Sequence, residues 1–402
     1  MPRSVLTLAA AAAAALPGAE IVRAQSLTSG GDGRCDSIVA TTSDGTAFTL
    51  RVPTSEHVER ELAAEAIALR ALSSGVREIL SFEAPTVLGT TRFDETTAYA
   101  AGYIPGYLVA AADIPRGRGA ATSIGAALAE LHSLPLSVVR SAGLPVRSPD
   151  QSRSEVQRVI EAAGASRRVP VRLMVRWREA IEDTRLWAFE STVSLGGAQS
   201  TSFVLNDDAR VVGVLDWHGL SVDDPALDLG WVASAPDAAD DIFTAYTERS
   251  HRAPDAALRV RARLHAELEF ARWLVHGAQT HDDQIVEDAA ALLESLSESV
   301  RDDRLLAPLG EQTSDVDDAL DAIGRVPEAA PNQVDTSMHT DAYDPSELSL
   351  LAEDEPEQAA PEQADPESLE TQPDISLPHE KLVDPGATVP LDMDEFIAHE
   401  RE

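Results

Sequence analysis

Residues 194–231, SLGGAQSTSFVLNDDARVVGVLDWHGLSVDDPALDLGW, decide the fold of this 402-residue chain. Apolar runs at 203–205 and 211–215 flank Asn206-Asp207-Asp208, which reads as the turn of a β-hairpin rather than as a metal site. Asp216 follows the second strand directly, and Leu195-Gly196-Gly197 precedes the first. Asp224-Pro225 then marks a stop and a restart.

Upstream, the pattern is first β and then helical. Ile21-Val22 opens a strand, Ser29-Gly30-Gly31-Asp32-Gly33 is a turn, and residues 37–42 form a second strand. Ser43-Asp44-Gly45 is a hairpin signal, and residues 48–52 form a third strand that Pro53 stops. Leu62, Ala66, Leu69 and Leu72 recur at helical spacing. Gly102-Tyr103-Ile104-Pro105-Gly106 breaks the pattern. Beyond it, helical periods cover 124–131, 156–163, 171–184 and 259–275. The layout is α+β and bilobal: a small antiparallel β lobe over residues 1–106, then a helical lobe over 107–309.

From residue 310 the composition changes. Residues 311–402 carry 26 acidic and 3 basic residues, a net of −23 out of −36 for the chain. Prolines recur, and such a segment buries too little apolar surface to offset its ordering entropy, so it reads as a disordered acidic tail. Its residues 391–397 place Leu391, Met393, Phe396 and Ile397 among acids, which has two readings, a segment that folds on a protein partner or part of a solubilising tail with none. The strong negative charge argues against nucleic acid and against an anionic membrane. One cysteine, Cys35, excludes an intramolecular disulfide. The alanine run 9–15 has two readings, a helix of the mature protein that Pro17-Gly18 stops, or a secretion signal; the first places the chain in the cytoplasm.

Taken in order, Arg51-Val52-Pro53, the helix 65–72 from Glu65 on, Tyr103-Ile104-Pro105-Gly106, Leu131-His132-Ser133-Leu134-Pro135 and Leu215-Asp216-Trp217 through Asp228-Leu229 resemble the aminoglycoside/macrolide phosphotransferase family. The resemblance covers roughly residues 20–300. It implies a protein-kinase-like fold, ATP and Mg²⁺ as cofactors and a small-molecule substrate. It also implies that Asp216 and position 202 bind the metal. Arg51 stands at the phosphate-holding position, with Glu65 placed to pair with it. Gly31 and Gly33 lie where a loop covers the phosphates, and Tyr103 lies in the connector. Asp224 and Asp228 match residues that brace the loop.

The departures lie in the chemistry. Where the family has a His-Gly-Asp motif with the catalytic aspartate, this chain has Leu195-Gly196-Gly197, so Gly197 supplies no carboxylate. Where the family has a metal-binding asparagine, this chain has Ser202, a single neutral oxygen. The only lysine is Lys381, in the acidic tail, and arginine is not an equivalent phosphate holder. His218, two residues after Asp216, and His132, on an amphipathic helix, read as structural. No serine carries a nucleophile-elbow pattern. Three functional readings stay open: a catalytically impaired pseudokinase that binds nucleotide or a partner, an active ATP-dependent O-phosphotransferase, or an interaction protein acting through its tail.

Overall fold

A computed structural model describes residues 3–27, 33–252 and 255–309. The acidic segment lies outside the described residues, and so do Gly31 and the loop around it. The described residues belong to one unit.

The chain begins with helix α1 (Val5–Ala15), capped by the Ser4 hydroxyl, which accepts from the Thr7 N–H. A five-stranded antiparallel sheet follows, built from β1 (Ile21–Ser26), β2 (Cys35–Thr42), β3 (Ala47–Pro53), β4 (Val87–Phe93) and β5 (Thr96–Gly102) in the order β1-β2-β3-β5-β4. Gly45, at φ +88°, turns β2 into β3, and the Asp44 carboxylate accepts from the Thr46 N–H at 3.0 Å. The sequence reading found three of these strands. It missed the β4–β5 hairpin, whose two-residue turn Asp94-Glu95 carries no glycine; Asp94 itself takes φ +52°.

Strand alternation sorts the sheet residues by face. Ile38, Ala40, Phe48, Leu50, Val52, Ala98 and Ala100 form one buried cluster, together with Leu8, Ala11, Ala12 and Ala15 of α1. Positions 8, 11, 12 and 15 lie on one helical face, so the alanine run covers the sheet at close range. A Cβ on Gly89 of β4 would come within 2.2 Å of the Ala15 carbonyl oxygen, which is why that strand position carries glycine. Removal of the alanine run would strip this cover from the sheet. No described helix is long and apolar enough to cross a membrane.

Helix α2 (Glu56–Ala71), capped by Ser55, and the short α3 (Ser74–Glu78) lie between β3 and β4. The Arg77 guanidinium donates to the carbonyls of Leu69, Leu72, Ala84 and Pro85 and fixes the return to the sheet. The helical part comprises α4 (Ala120–His132), α5 (Ser137–Ser141), α6 (Pro149–Ala165), α7 (Val171–Glu182), α8 (Ala239–Arg249), α9 (Leu258–Thr280) and α10 (Asp283–Ser299). Between α7 and α8 run the short strands β6 (Thr192–Ser194), β7 (Phe203–Leu205), β8 (Val211–Val214) and β9 (Ser221–Asp223). β7 pairs with β8, and β6 with β9. The Asn206 side chain accepts from the N–H groups of Asp208 and Arg210, so it shapes the hairpin turn, as expected.

The sheet connects to this region through Gly106. Tyr107 and Leu205 exchange both backbone hydrogen bonds at 2.9 Å. A Cβ on Gly106 would come within 2.4 Å of the Leu205 oxygen, so only glycine admits the approach.

The docking of α1 has a direct test. Ala12→Asp buries an unpartnered carboxylate against the sheet and should lower stability by about 3 kcal/mol in urea unfolding. Leu6→Asp, on the exposed face of the same helix, should change it by less than about 0.5 kcal/mol. Equal effects would show that the helix does not cover the sheet.

Candidate functional site

The site starts on β3. Phe48, Leu50 and Val52 face α1, so Thr49 and Arg51 face the other way. There α2 presents Glu65 from its buried face, and the Arg51 guanidinium meets the Glu65 carboxylate at 2.5 Å. Burial alone would lower the Arg51 pKa, but the Glu65 and Asp216 carboxylates beside it, and Cys35, hold it above its ordinary value. Arg51 therefore remains a cation paired with Glu65, as expected.

Asp216 follows β8 in the left-handed conformation, at φ 60° and ψ 51°. This rare geometry for a non-glycine residue costs on the order of 1 kcal/mol and persists only where neighbours enforce it. Two neighbours do so. The buried Trp217 indole donates to the Val214 carbonyl at 2.7 Å, and the Ser202 hydroxyl donates to the Asp216 carboxylate at 2.9 Å. Ser202 and Asp216 thus share a hydrogen bond across the site.

The loop 195–198 lies against the segment after Asp216, backbone to backbone. A Cβ on Gly219 would stand 2.2 Å from the Leu195 oxygen, and one on Gly196 would stand 2.6 Å from the Gly219 oxygen. At Gly197 the surroundings are open. The φ there is +124°, and a Cβ would meet no heavy atom within 4 Å. Nothing contacts the space where the first atom of a side chain would stand.

Asp228 holds this loop in place. Its carboxylate accepts from the N–H groups of Leu195, Gly197 and Ala198 at 2.8, 2.8 and 3.0 Å. His132 Nε2, from the end of α4, lies 3.1 Å from the same carboxylate, and His132 Nδ1 lies 2.8 Å from the Tyr246 hydroxyl of α8. The carboxylate has no exposure to solvent. Burial alone would raise its pKa, but the His132 hydrogen bond and charge and the loop amides outweigh it and hold the group below the usual carboxylate range. Asp224 is fixed in the same way. Arg261 of α9 grips it with Nε and Nη2 at 2.9 and 3.0 Å, and His265 stands 3.3 Å away. Burial there is outweighed by Arg261 and His265, and the Asp224 pKa is driven far down. Arg261 reaches on to Asp255 at 2.6 Å and stacks over the Phe189 ring.

The other sequence candidates fall as follows. Gly33, at φ +75°, precedes β2, and its carbonyl accepts from the Thr54 hydroxyl at 2.9 Å. Tyr103 follows β5 and donates its N–H to Ala47. His218 is exposed. His132, Tyr246 and Arg261 are the members that the sequence reading missed or left as packing residues. Helical periodicity could mark them only as inward-facing, because their partners lie 96, 114 and 37 residues away.

Magnesium binds hard oxygens and usually keeps several waters and phosphate oxygens beside one or two protein ligands. The Asp216 carboxylate and the lone pairs of the Ser202 hydroxyl fit that donor chemistry. Among the described residues no group of three or more His, Cys, Asp or Glu side chains could hold a metal.

A sheet with Arg51 and Glu65 on one side, and a helical part with Asp216 and a braced loop on the other, define the protein-kinase-like class. The model of the phosphotransferase enzyme family matches residues 28–258, more than half of the chain, and the chain belongs to this family. Among solved structures it is similar to the macrolide 2'-phosphotransferase MphH from Brachybacterium faecium, at 24% identity over 72% of this chain and 98% of that one, with TM-score 0.57. It is also similar to macrolide 2'-phosphotransferase type I, at 22% identity over 72% and 95% of the two chains, with TM-score 0.56. The GDP complex of wild-type aminoglycoside 2'-phosphotransferase-IIIa aligns over 74% and 99%, at 16% identity and TM-score 0.58. These likenesses establish the fold. A search of curated proteins finds no match.

Removing the brace should be costly. Asp228→Ala leaves three amides and His132 without their partner and should destabilise the protein by about 3 kcal/mol or more. The pH dependence has a fixed sign. Asp224 and Asp228 titrate below an unfolded aspartate, near 3.9, so their stabilisation is complete above about pH 5 and is lost as the pH falls through their lowered values. Urea unfolding from pH 7 down to 3 should show stability falling mainly below about pH 4, with a shallower fall in Asp228→Ala. An unchanged slope in the variant would remove Asp228 as a source of acid sensitivity.

Proposed function

We propose that this chain is a catalytically impaired member of its family, a pseudokinase that binds ATP between Arg51 and Asp216 without efficient phosphoryl transfer. The observation that carries this reading is Gly197. Phosphoryl transfer relies on a carboxylate that orients the attacking hydroxyl or accepts its proton. Position 197 has no side chain, and no neighbouring atom stands within 4 Å of its would-be Cβ. Loss of a general base costs roughly 10²–10⁴ in rate.

In this reading residues 1–106 form the nucleotide-side lobe, 107–309 the helical lobe and 310–402 an acidic tail. Arg51 holds the phosphates, with Glu65 fixing its direction, and Gly31, Gly33 and Tyr103 border the nucleotide. Asp216 and Ser202 hold magnesium, which would neutralise phosphate charge when bound. The packing of α1 into the sheet core supports a cytoplasmic protein whose alanine run is retained.

A second reading, an active O-phosphotransferase of a small hydroxylated molecule, draws on the intact brace. Asp228 keeps the loop shaped although its reactive side chain is gone, so a carboxylate brought by substrate or by movement would find a formed site.

Calorimetric titration of the full chain with ATP and magnesium tests the proposal. Binding is expected, weakened about tenfold or more in Arg51→Ala and in Asp216→Ala, since each removes a charge-assisted contact. Turnover against hydroxylated acceptors should stay near background. The double variant Gly197→Asp with Ser202→Asn should raise it, against the strain of an aspartate at φ +124°. No heat at millimolar ATP would sink nucleotide binding, and efficient turnover by the unmodified chain would sink the pseudokinase reading.

A further inference from the structure

We propose that the seat of α2 is a proton-sensitive latch: charging the His57 imidazole loosens the helix and, with it, the Glu65–Arg51 pair. The inference does not rest on the nucleotide reading, since neither the latch nor its test needs ATP.

Helix α2 carries three polar groups on one face, at positions 57, 61 and 65. Two are carboxylates, and each meets an arginine of the sheet region. Glu65 pairs with Arg51 of β3, and Glu61 pairs with Arg34, the residue before β2. The helix also packs on the Trp217–Gly219 segment that follows Asp216. A helix that loosens there disturbs the Arg51 pair and the support of Asp216 together.

His57 is the third group on this face. Its side chain is 42% exposed, and its Nε2 stands 3.2 Å from the Glu61 carboxylate. The charges that face it come from four places. Arg60 and Glu61 belong to α2 itself, Arg34 to the start of β2, His218 to the segment after Asp216, and His276 to α9. Glu56 is exposed on the first turn, and the Glu59 carboxylate turns away to accept from the Thr97 N–H of β5. Glu61 is the carboxylate in contact, but Arg34 already holds it, so it offers little to a second cation. Partial burial, and then the Arg34, Arg60, His276 and His218 charges, hold the His57 pKa below its ordinary value. The docked helix therefore keeps His57 neutral.

That fixes the sign of the response. Away from its seat, His57 takes up its proton near pH 6.5; in the seat it resists until the pH is lower. Between those values a proton favours the undocked helix, so docking is full above about pH 7 and weakens as the pH falls below about 6.5. This window lies above the acid range of Asp224 and Asp228. Solvent screens a half-exposed group, so the response is a loosening of α2 and not unfolding of the chain.

Hydrogen exchange of the full chain tests the latch. It is followed by mass spectrometry at pH 7.5 and pH 5.5, with times scaled to the chemical rate of exchange. Amides of α2 should exchange about threefold faster or more at the lower pH, while those of α6, a helix without histidine, stay unchanged. His57→Gln cannot take up a proton and should remove the acceleration. Arg60→Gln removes one facing cation and should reduce it. Equal exchange of α2 at both pH values would overturn the proposal. So would full acceleration in His57→Gln, or an equal rise in α6, which would mark a general loosening of the fold.

Discussion

The arrangement around the site depends on one buried carboxylate. Asp228 gathers three amides of the 195–198 loop and ties them, through His132 and Tyr246, to α4 and α8. A carboxylate without solvent survives only where its lone pairs are met by donors and its charge by a partner. Here the loop depends on Asp228 for its shape, and Asp228 depends on His132 and then on the loop amides for its charged state. A loop held in this way needs nothing from its own side chains. Leu195-Gly196-Gly197 therefore keeps a defined backbone course with no side chain at position 197.

The same separation of scaffold and chemistry runs through the helical part. Asp224, gripped by Arg261 and His265, starts the 3₁₀ segment Pro225–Ser234 and accepts from the Ala226 N–H. The Asp224–Arg261 pair is worth little against a well-packed apolar replacement, but breaking one partner would leave a buried charge. Such pairs resist single substitutions. Gly197 and Ser202 resist less, because one touches nothing through a side chain and the other makes a hydroxyl bond to Asp216.

Much of this was legible in the sequence, for physical reasons that differ by element. The β2–β3 hairpin announced itself through Ser43-Asp44-Gly45, because a glycine at positive φ is nearly obligatory there. The β4–β5 hairpin hid behind Asp94, which adopts positive φ without advertising it. The Arg51–Glu65 pair was readable because strand and helix are close in sequence and the resemblance placed the two residues opposite each other. His132 was not, since a histidine on an apolar helix face looks the same whether it packs or anchors an aspartate 96 residues away. The alanine run was ambiguous by composition alone. In the fold it packs on the sheet, and Gly89 is the strand position whose missing Cβ makes room for the end of α1.

Arg51 shows where composition and chemistry meet. A chain whose only lysine lies in its acidic tail must place arginine wherever a cation is required. Against Glu65 the exchange favours the fold, because a planar guanidinium keeps its charge under burial and can serve two carboxylates at once. Against a phosphate it is less neutral. A guanidinium held by Glu65 presents fewer free donors than an ammonium turning on a flexible stem. Arginine at this position thus makes the ion pair that orders the site more robust.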